Sequence, residues 1–145
     1  MRFLIQRVTR AAVRVEGKLE SEIGMGLLVL VGVSATDVSA DADYLVEKLV
    51  HLRIFPDSDG RMNRSAFDEK AEILLVSQFT LYGDCRKGRR PSFDAAAPAE
   101  RARELYDYAV AKARENGLVT KSGVFQANMD VELVNCGPVT LMLES

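Results

Sequence analysis

Leu27-Leu28-Val29-Leu30-Val31-Gly32-Val33 carries no polar side chain. A half-buried strand would alternate and an amphipathic helix would show a polar face, so an unbroken apolar run of this length reads as a strand buried on both faces. That makes it the expected centre of a sheet. Ahead of it, residues 2–8 and 11–16 read as two short strands joined by a tight link, with Val13 and Val15 on one face and a hairpin-type turn at Gly17-Lys18. Gly24-Met25-Gly26 breaks the pattern before the central run.

Beyond the central run, the spacing of Leu45, Leu49 and Leu52 predicts a helix that starts near Ser39 and ends by Arg53. Ser39 is the expected cap, with Asp41 and Asp43 at the positive end of the helix dipole. Ile54-Phe55-Pro56 reads as extended chain and Asp57-Ser58-Asp59-Gly60 as a turn. A strand is expected from Ile73 to Leu81, then a polar, basic loop from Gly83 to Ser92. Pro98 suits the first turn of a second helix, Ala102, Leu105, Ala109 and Ala113 line its inner face, and Asn116-Gly117 closes it. Residues 123–134 and 138–143 return to strand character. Strands, helix, strand, helix, strands is the order of an α+β domain with mainly antiparallel sheet and two main helices.

With 145 residues and 48% hydrophobic content, the chain suits one domain, 1–145, that buries its own core. A net charge of -2 argues against coating nucleic acid through bulk charge, so any such contact must be a local patch. Cys85 and Cys136 have no metal-ligand spacing and read as free thiols. No signal-like apolar core and no membrane-length apolar run is present, so the expected location is cytoplasmic.

Candidate chemistry gathers in three places. Ser77, Gln78 and Thr80 place hydrogen-bonding side chains at one end of an otherwise apolar strand, with Gln78 and Thr80 on one face by period two and Ser77 and Phe79 on the other. Such groups need partners, either a neighbouring strand or a ligand. Arg86-Lys87-Gly88-Arg89-Arg90 concentrates positive charge on a loop, either as a phosphate contact or as a solvated surface. Gly137-Pro138 interrupts two strand-like runs, 131–134 and 139–143. There it is either a plain turn or, if its bond is cis, a feature that points backbone carbonyls out of the sheet. The only histidine, His51, lies on the first helix and gives no sign of a catalytic triad. No zinc-helix, P-loop or dinucleotide motif occurs, and Asp57 and Asp59 lack the remaining ligands of a calcium loop. No metal and no cofactor is expected.

Taken together, Ser77-Gln78-Phe79-Thr80-Leu81-Tyr82-Gly83-Asp84, Lys87-Gly88-Arg89-Arg90-Pro91-Ser92-Phe93 and Asn135-x-Gly137-Pro138-Val139-Thr140 resemble the D-aminoacyl-tRNA deacylase family. Ile5-Gln6-Arg7-Val8, Ile23-Gly24-x-Gly26-Leu27 and Met62-Asn63 extend the resemblance, in order, over essentially the whole chain. The resemblance implies a barrel-like fold and a homodimer that hydrolyses D-aminoacyl-tRNA, and also glycine mischarged on alanine tRNA. It implies a cis bond at Gly137-Pro138, with the pair entering the partner subunit's active site to exclude L-residues. It places Ser77, Gln78, Phe79 and Thr80 around the scissile carbonyl and Phe125, Ala127 and Met129 in the amino-acid and adenosine pocket. Thr80 has been viewed as a nucleophile in that family, but no base to activate it is identifiable here. The preferred reading makes it a positioning residue beside a backbone oxyanion site near Phe79, with the substrate's ribose 2′-hydroxyl assisting an attacking water. Gln126 and Cys136 depart from the family pattern, which usually has glycine and an acidic residue there. The competing readings are a non-catalytic RNA-binding module using Arg86, Lys87, Arg89 and Arg90, and a thiol-dependent esterase using Cys85 or Cys136.

Overall fold

A computed structural model describes residues 1–145. The elements run β1 (Arg2–Val15), β2 (Lys18–Ile23), β3 (Gly26–Gly32), α1 (Ser39–His51), β4 (Phe55–Pro56), β5 (Met62–Arg64), α2 (Ala66–Glu69), β6 (Glu72–Ser77), α3 (Ala99–Glu115), β7 (Thr120–Ser122) and β8 (Met129–Glu144). The apolar run found in the sequence is β3, and it is central. It pairs antiparallel with the first half of β1 and parallel with β6. Its side chains divide between two cores. Leu27, Val29 and Val31 join Phe3, Ile5, Ile73 and Leu75 beneath the helices α1 and α3, whereas Leu28 joins Val8, Val13, Leu74 and Val76 on the other face. Each such side chain contributes about 1.5–3 kcal/mol by leaving water, which is why β3 tolerates no polar residue.

Antiparallel pairing predominates, because β1 takes β2, β3 and β8 as antiparallel partners. Both long helices are crossovers, however, and they make β3–β6 and β6–β7 parallel. A parallel pair needs a connection of about a dozen residues or more, and a helix supplies it. The sheet curls until β2 meets β7, where the Ser21 hydroxyl donates to the Ser122 carbonyl at 3.1 Å. The barrel-like form is thereby nearly closed. β4 and β5 form a separate small hairpin.

Several boundaries differ from the sequence reading. Residues 2–15 are one strand, with Glu16 already in the turn, and the expected link is a pair of register shifts against β8, between Gln6 and Val8 and between Val8 and Arg10. α1 is capped by its own first turn, with the Asp41 carboxylate accepting the Val38 N–H at 2.8 Å, and Ser39 is already helical. The strand expected over 73–81 ends at Ser77, and Phe79–Tyr82 forms a 3-10 turn. Gln78 and Thr80 therefore do not share a strand face. The last strand begins at Met129 and not at 123, and it runs through Gly137-Pro138 to Glu144. α2 was not anticipated, although Ser65 and Asp68 cap it reciprocally. No helix is long and apolar enough to cross a membrane.

Gly26 pairs with Glu72 at the start of β3, hard against the β6 backbone. A Cβ there would lie 1.9 Å from the Glu72 carbonyl oxygen, so no side chain fits without moving the backbone. Gly26→Ala is expected to destabilise the fold by roughly 3 kcal/mol, read as a lowered urea midpoint with an unchanged m-value.

Candidate active site

At the end of β6 the backbone turns out of the sheet. Gln78 still donates its N–H to the Val31 carbonyl at 2.7 Å, and the 3-10 turn then begins at Phe79. The first N–H groups of a helical turn have no partner within it. Here those of Phe79 and Thr80 donate to no other atom of the chain. The turn is held from outside: an Arg2 Nη1 donates to the Leu81 carbonyl at 2.8 Å, and the same guanidinium lies 4.5 Å from the centre of the Tyr82 ring. The half-exposed Phe79 ring packs edge-on against Phe93 at 5.0 Å. Thr80 is exposed, and its hydroxyl oxygen accepts from the Gln78 side-chain amide.

This turn forms one lip of a cavity of about 600 Å³. Val76, Ser77, Gln78 and Phe79 supply one wall, and Ala97, Ala99 and Ala102 at the start of α3 supply another. Phe125, Gln126, Ala127 and Asn128 come from the loop before β8, with Met129 and Val131 from β8 itself. The sheet's curl brings these distant segments together. The Ser77 hydroxyl and the amides of the exposed Gln126 and Asn128 have no hydrogen-bond partner in the chain, which leaves a few polar groups free along a mostly apolar space. Behind Phe125, the Tyr106 ring lies 5.8 Å away and its hydroxyl donates to the Leu75 carbonyl at 2.9 Å. Burial, followed by the nearby Asp107 charge, pushes that hydroxyl up to about 12. Tyr106 is therefore a neutral structural wall across the working range of pH.

Gly137 and Pro138 lie elsewhere. Val8 pairs with Asn135 and Gln6 with Thr140, so Arg7 alone faces the whole segment 136–139, which bulges out of the β1–β8 ladder. The bulge is braced from beneath. The Arg7 guanidinium donates to the Cys136 carbonyl at 3.1 Å and also to the Ile54 carbonyl. The Asn135 amide spans the bulge to the Val139 carbonyl at 3.1 Å. A Cβ on Gly137 would lie 2.6 Å from the Asn135 Oδ1, and the Gly137-Pro138 bond is cis. Val139 is buried, while Gly137 and Pro138 are exposed and take no part in the cavity of their own chain.

The sequence pattern of the family described as D-Tyr-tRNA(Tyr) deacylase matches residues 4–144. The chain belongs to that family. A protein of Desulfitobacterium hafniense (strain DSM 10664 / DCB-2) named D-aminoacyl-tRNA deacylase is 59% identical over 145 residues, covering 100% of this chain and 97% of its own. A solved structure titled c-Myc DNA Unwinding Element Binding Protein is 42% identical with a TM-score of 0.94, covering 100% of this chain and 99% of its own. Another, titled Structural Analysis of a probable eukaryotic D-amino acid tRNA deacylase, shares the fold at a TM-score of 0.86 with 19% identity. It covers 99% of this chain and 98% of its own.

Membership in the D-Tyr-tRNA(Tyr) deacylase family fits how the motifs meet. Ser77, Gln78 and Phe79 share the cavity with Phe125, Ala127 and Met129, and Thr80 does not line it. Gln126 adopts a φ of 64°, a left-handed conformation that glycine takes without steric cost. Gln6, Arg7, Asn135 and Thr140 were legible only as motif letters. Their shared task is to shape the bulge, with the Gln6 amide donating to the Thr140 hydroxyl at 3.2 Å. His51 lies on α1 beside Glu47 and Phe67, outside the cavity lining. Cys85 and Cys136 are not bridged. No group of three or more His, Cys, Asp or Glu side chains is gathered at one point.

The deacylase chain's basic loop is closed by a bridge between Asp84 and Ser92. Its cations are not equivalent. Arg86 is bound to the Asp84 carboxylate through Nε and Nη2 at 2.6–3.1 Å, whereas Lys87, Arg89 and Arg90 take part in no ion pair. Asp84 is drawn down to about 2, first by the Arg86 side chain and then by the Arg86 backbone N–H. A lowered folded-state value means that the brace is fully formed above the ordinary value of 3.8 and is lost as pH falls through about 2. Carboxyl-carbon NMR is expected to show Asp84 titrating near 2 in the native chain, and Arg86→Ala is expected to return it toward 3.8.

Proposed function

We propose that the protein hydrolyses the ester between a D-amino acid and the terminal adenosine of tRNA, releasing the free D-amino acid and tRNA. The unit is taken to be a cytoplasmic homodimer of single-domain chains, 1–145. Family membership supports the reaction class. The observation that carries it into chemistry is the pair of unpartnered N–H groups of Phe79 and Thr80, at the lip of a mostly apolar cavity. Donors aimed at developing negative charge stabilise a tetrahedral intermediate, and each is worth roughly 2.7–4 kcal/mol of barrier in enzymes where one has been removed.

In this reading the ester carbonyl oxygen points at those two N–H groups. Water attacks the carbonyl carbon, its proton passing to the ribose 2′-hydroxyl, which in turn delivers one to the departing 3′-oxygen. The C–O ester bond breaks, and the tetrahedral oxygen returns to a carboxyl group. Thr80 positions and does not attack: its hydroxyl oxygen accepts from the Gln78 amide, which is not a base. The reading assigns no step to a metal or a cofactor. Phe125, Ala127 and Met129 enclose the amino acid and adenosine, and Ser77 with Gln78 flanks the reacting carbonyl.

Gly137 and Pro138 are assigned to the partner subunit's cavity. The bulge is firmly braced yet exposed, and it lies outside the cavity of its own chain, which suits a part that works on another molecule. Carbonyls held there can fix the substrate's amino group and Cα without reading its side chain. An L-residue would drive its side chain into the motif, whereas a D-residue would point it away. Glycine has nothing to clash, so glycine mischarged on alanine tRNA is accepted. Lys87, Arg89 and Arg90 are assigned to backbone phosphates of the tRNA, and Arg86 chiefly shapes their loop.

The purified protein, without added metal, is expected to deacylate D-tyrosyl-tRNA and to spare L-tyrosyl-tRNA, and thiol alkylation is expected to leave the D-specific rate intact. Equal rates on both substrates, or none on either, would sink the proposal. A thiol-dependent rate would transfer the chemistry to Cys85 or Cys136.

A further inference from the structure

Arg103 is an arginine without a carboxylate, on the helix that walls the cavity. Two carboxylates stand at helical contact spacing from it, Glu100 three residues before and Asp107 four after, and it pairs with neither. Of the other cations of α3, Arg101 reaches Glu104 at 2.6 Å and Lys112 reaches Glu115 at 2.9 Å, while Arg114 donates to the Thr120 carbonyl. The exposed Arg103 guanidinium instead lies over the Phe125 ring, with Cζ 4.7 Å from its centre. Phe125 is itself a cavity wall and is backed by Tyr106, whose hydroxyl is anchored on the Leu75 carbonyl. The cation thus rests on a fixed platform. A guanidinium stacked on a ring keeps the N–H donors along its edge free, in the fork geometry that matches a phosphate.

The cavity lining contains no cationic side chain. A space of about 600 Å³ lined largely by apolar groups suits an aminoacylated nucleoside, but an ionised phosphate buried there would be costly. The first phosphate of a bound acceptor end therefore has to stop at the rim. Resting on the deacylase reading above, we infer that Arg103, stacked on Phe125 at the cavity wall, takes the phosphodiester on the 5′ side of the terminal adenosine. It positions the acceptor end and does not touch the reacting carbonyl.

The test compares D-tyrosyl-tRNA with D-tyrosyl-adenosine, the same ester without any phosphate, on the full-length protein. Arg103→Ala is expected to narrow the preference for the tRNA ester, in kcat/KM, by about tenfold. The change is expected in KM, with the log–log salt dependence of that KM shallower by about 0.7, the slope of one contact to a single strand. Arg103→Lys keeps the charge and is expected to retain most of the salt dependence. An equal loss on both esters would make Arg103 a prop for Phe125 and overturn the inference, as would no change in the preference. A wild-type protein inactive on both esters would sink the deacylase reading itself, and the inference with it.

Discussion

Burial of Leu27, Leu28, Val29 and Val31, on both faces of β3, is the constraint on which the rest of the molecule depends. One face of that strand is covered by α1 and α3. The other is covered only because the sheet curls until β2 meets β7 and β8 lies along β1. The curl carries Met129 and Val131 across to Val76 and Ser77, and the space left between them and the start of α3 is the cavity. The same β1–β8 ladder has to absorb the segment 136–139, and it does so as a bulge braced by Arg7 and Asn135. Cavity and bulge are thus two products of one closure, held in fixed relation by the strands between them.

That relation explains the character of the site. The strongest polar features at its lip are backbone groups, the N–H donors of Phe79 and Thr80. Backbone donors are fixed by the fold and lose little freedom when charge develops beside them. They are also blind to side-chain identity. The side chains around them serve largely as walls and braces, such as Tyr106 behind Phe125 and Arg2 beneath the 3-10 turn.

Much of this was legible in the chain. The central strand, the inner face of α3 and its closing Gly117 follow from apolar spacing and turn chemistry, because those signals are local. The convergence of Ser77, Gln78 and Phe79 with Phe125, Ala127 and Met129 was available only from a whole-chain resemblance, since nothing local joins residues some fifty positions apart. Period-two reasoning carried β6 past Ser77 because a 3-10 turn has no distinct composition, and so it placed Thr80 on a strand face that does not exist. The parallel pairings were hidden for a different reason: strand direction is set by the crossover, not by the strand. Unpartnered N–H groups carry no letter in the sequence at all. The Asp84–Arg86 brace was within reach, an acid two residues before the basic run, but reading the run as uniform charge concealed it.

The central claim is that the bulge of one chain completes the cavity of another, and mixing two disabled chains tests it most directly. Pro138→Trp obstructs the exposed tip of the bulge and leaves that chain's cavity intact, whereas Ala127→Trp fills the cavity and leaves the bulge intact. Each variant alone is expected to be inactive on D-tyrosyl-tRNA. After co-refolding, the mixed dimer is expected to regain activity, because one of its two sites combines an intact cavity with an intact bulge from the other chain. If mixtures across all ratios stay as inactive as the separate variants while mixed dimers are shown to form, the bulge acts within its own chain and the account is wrong.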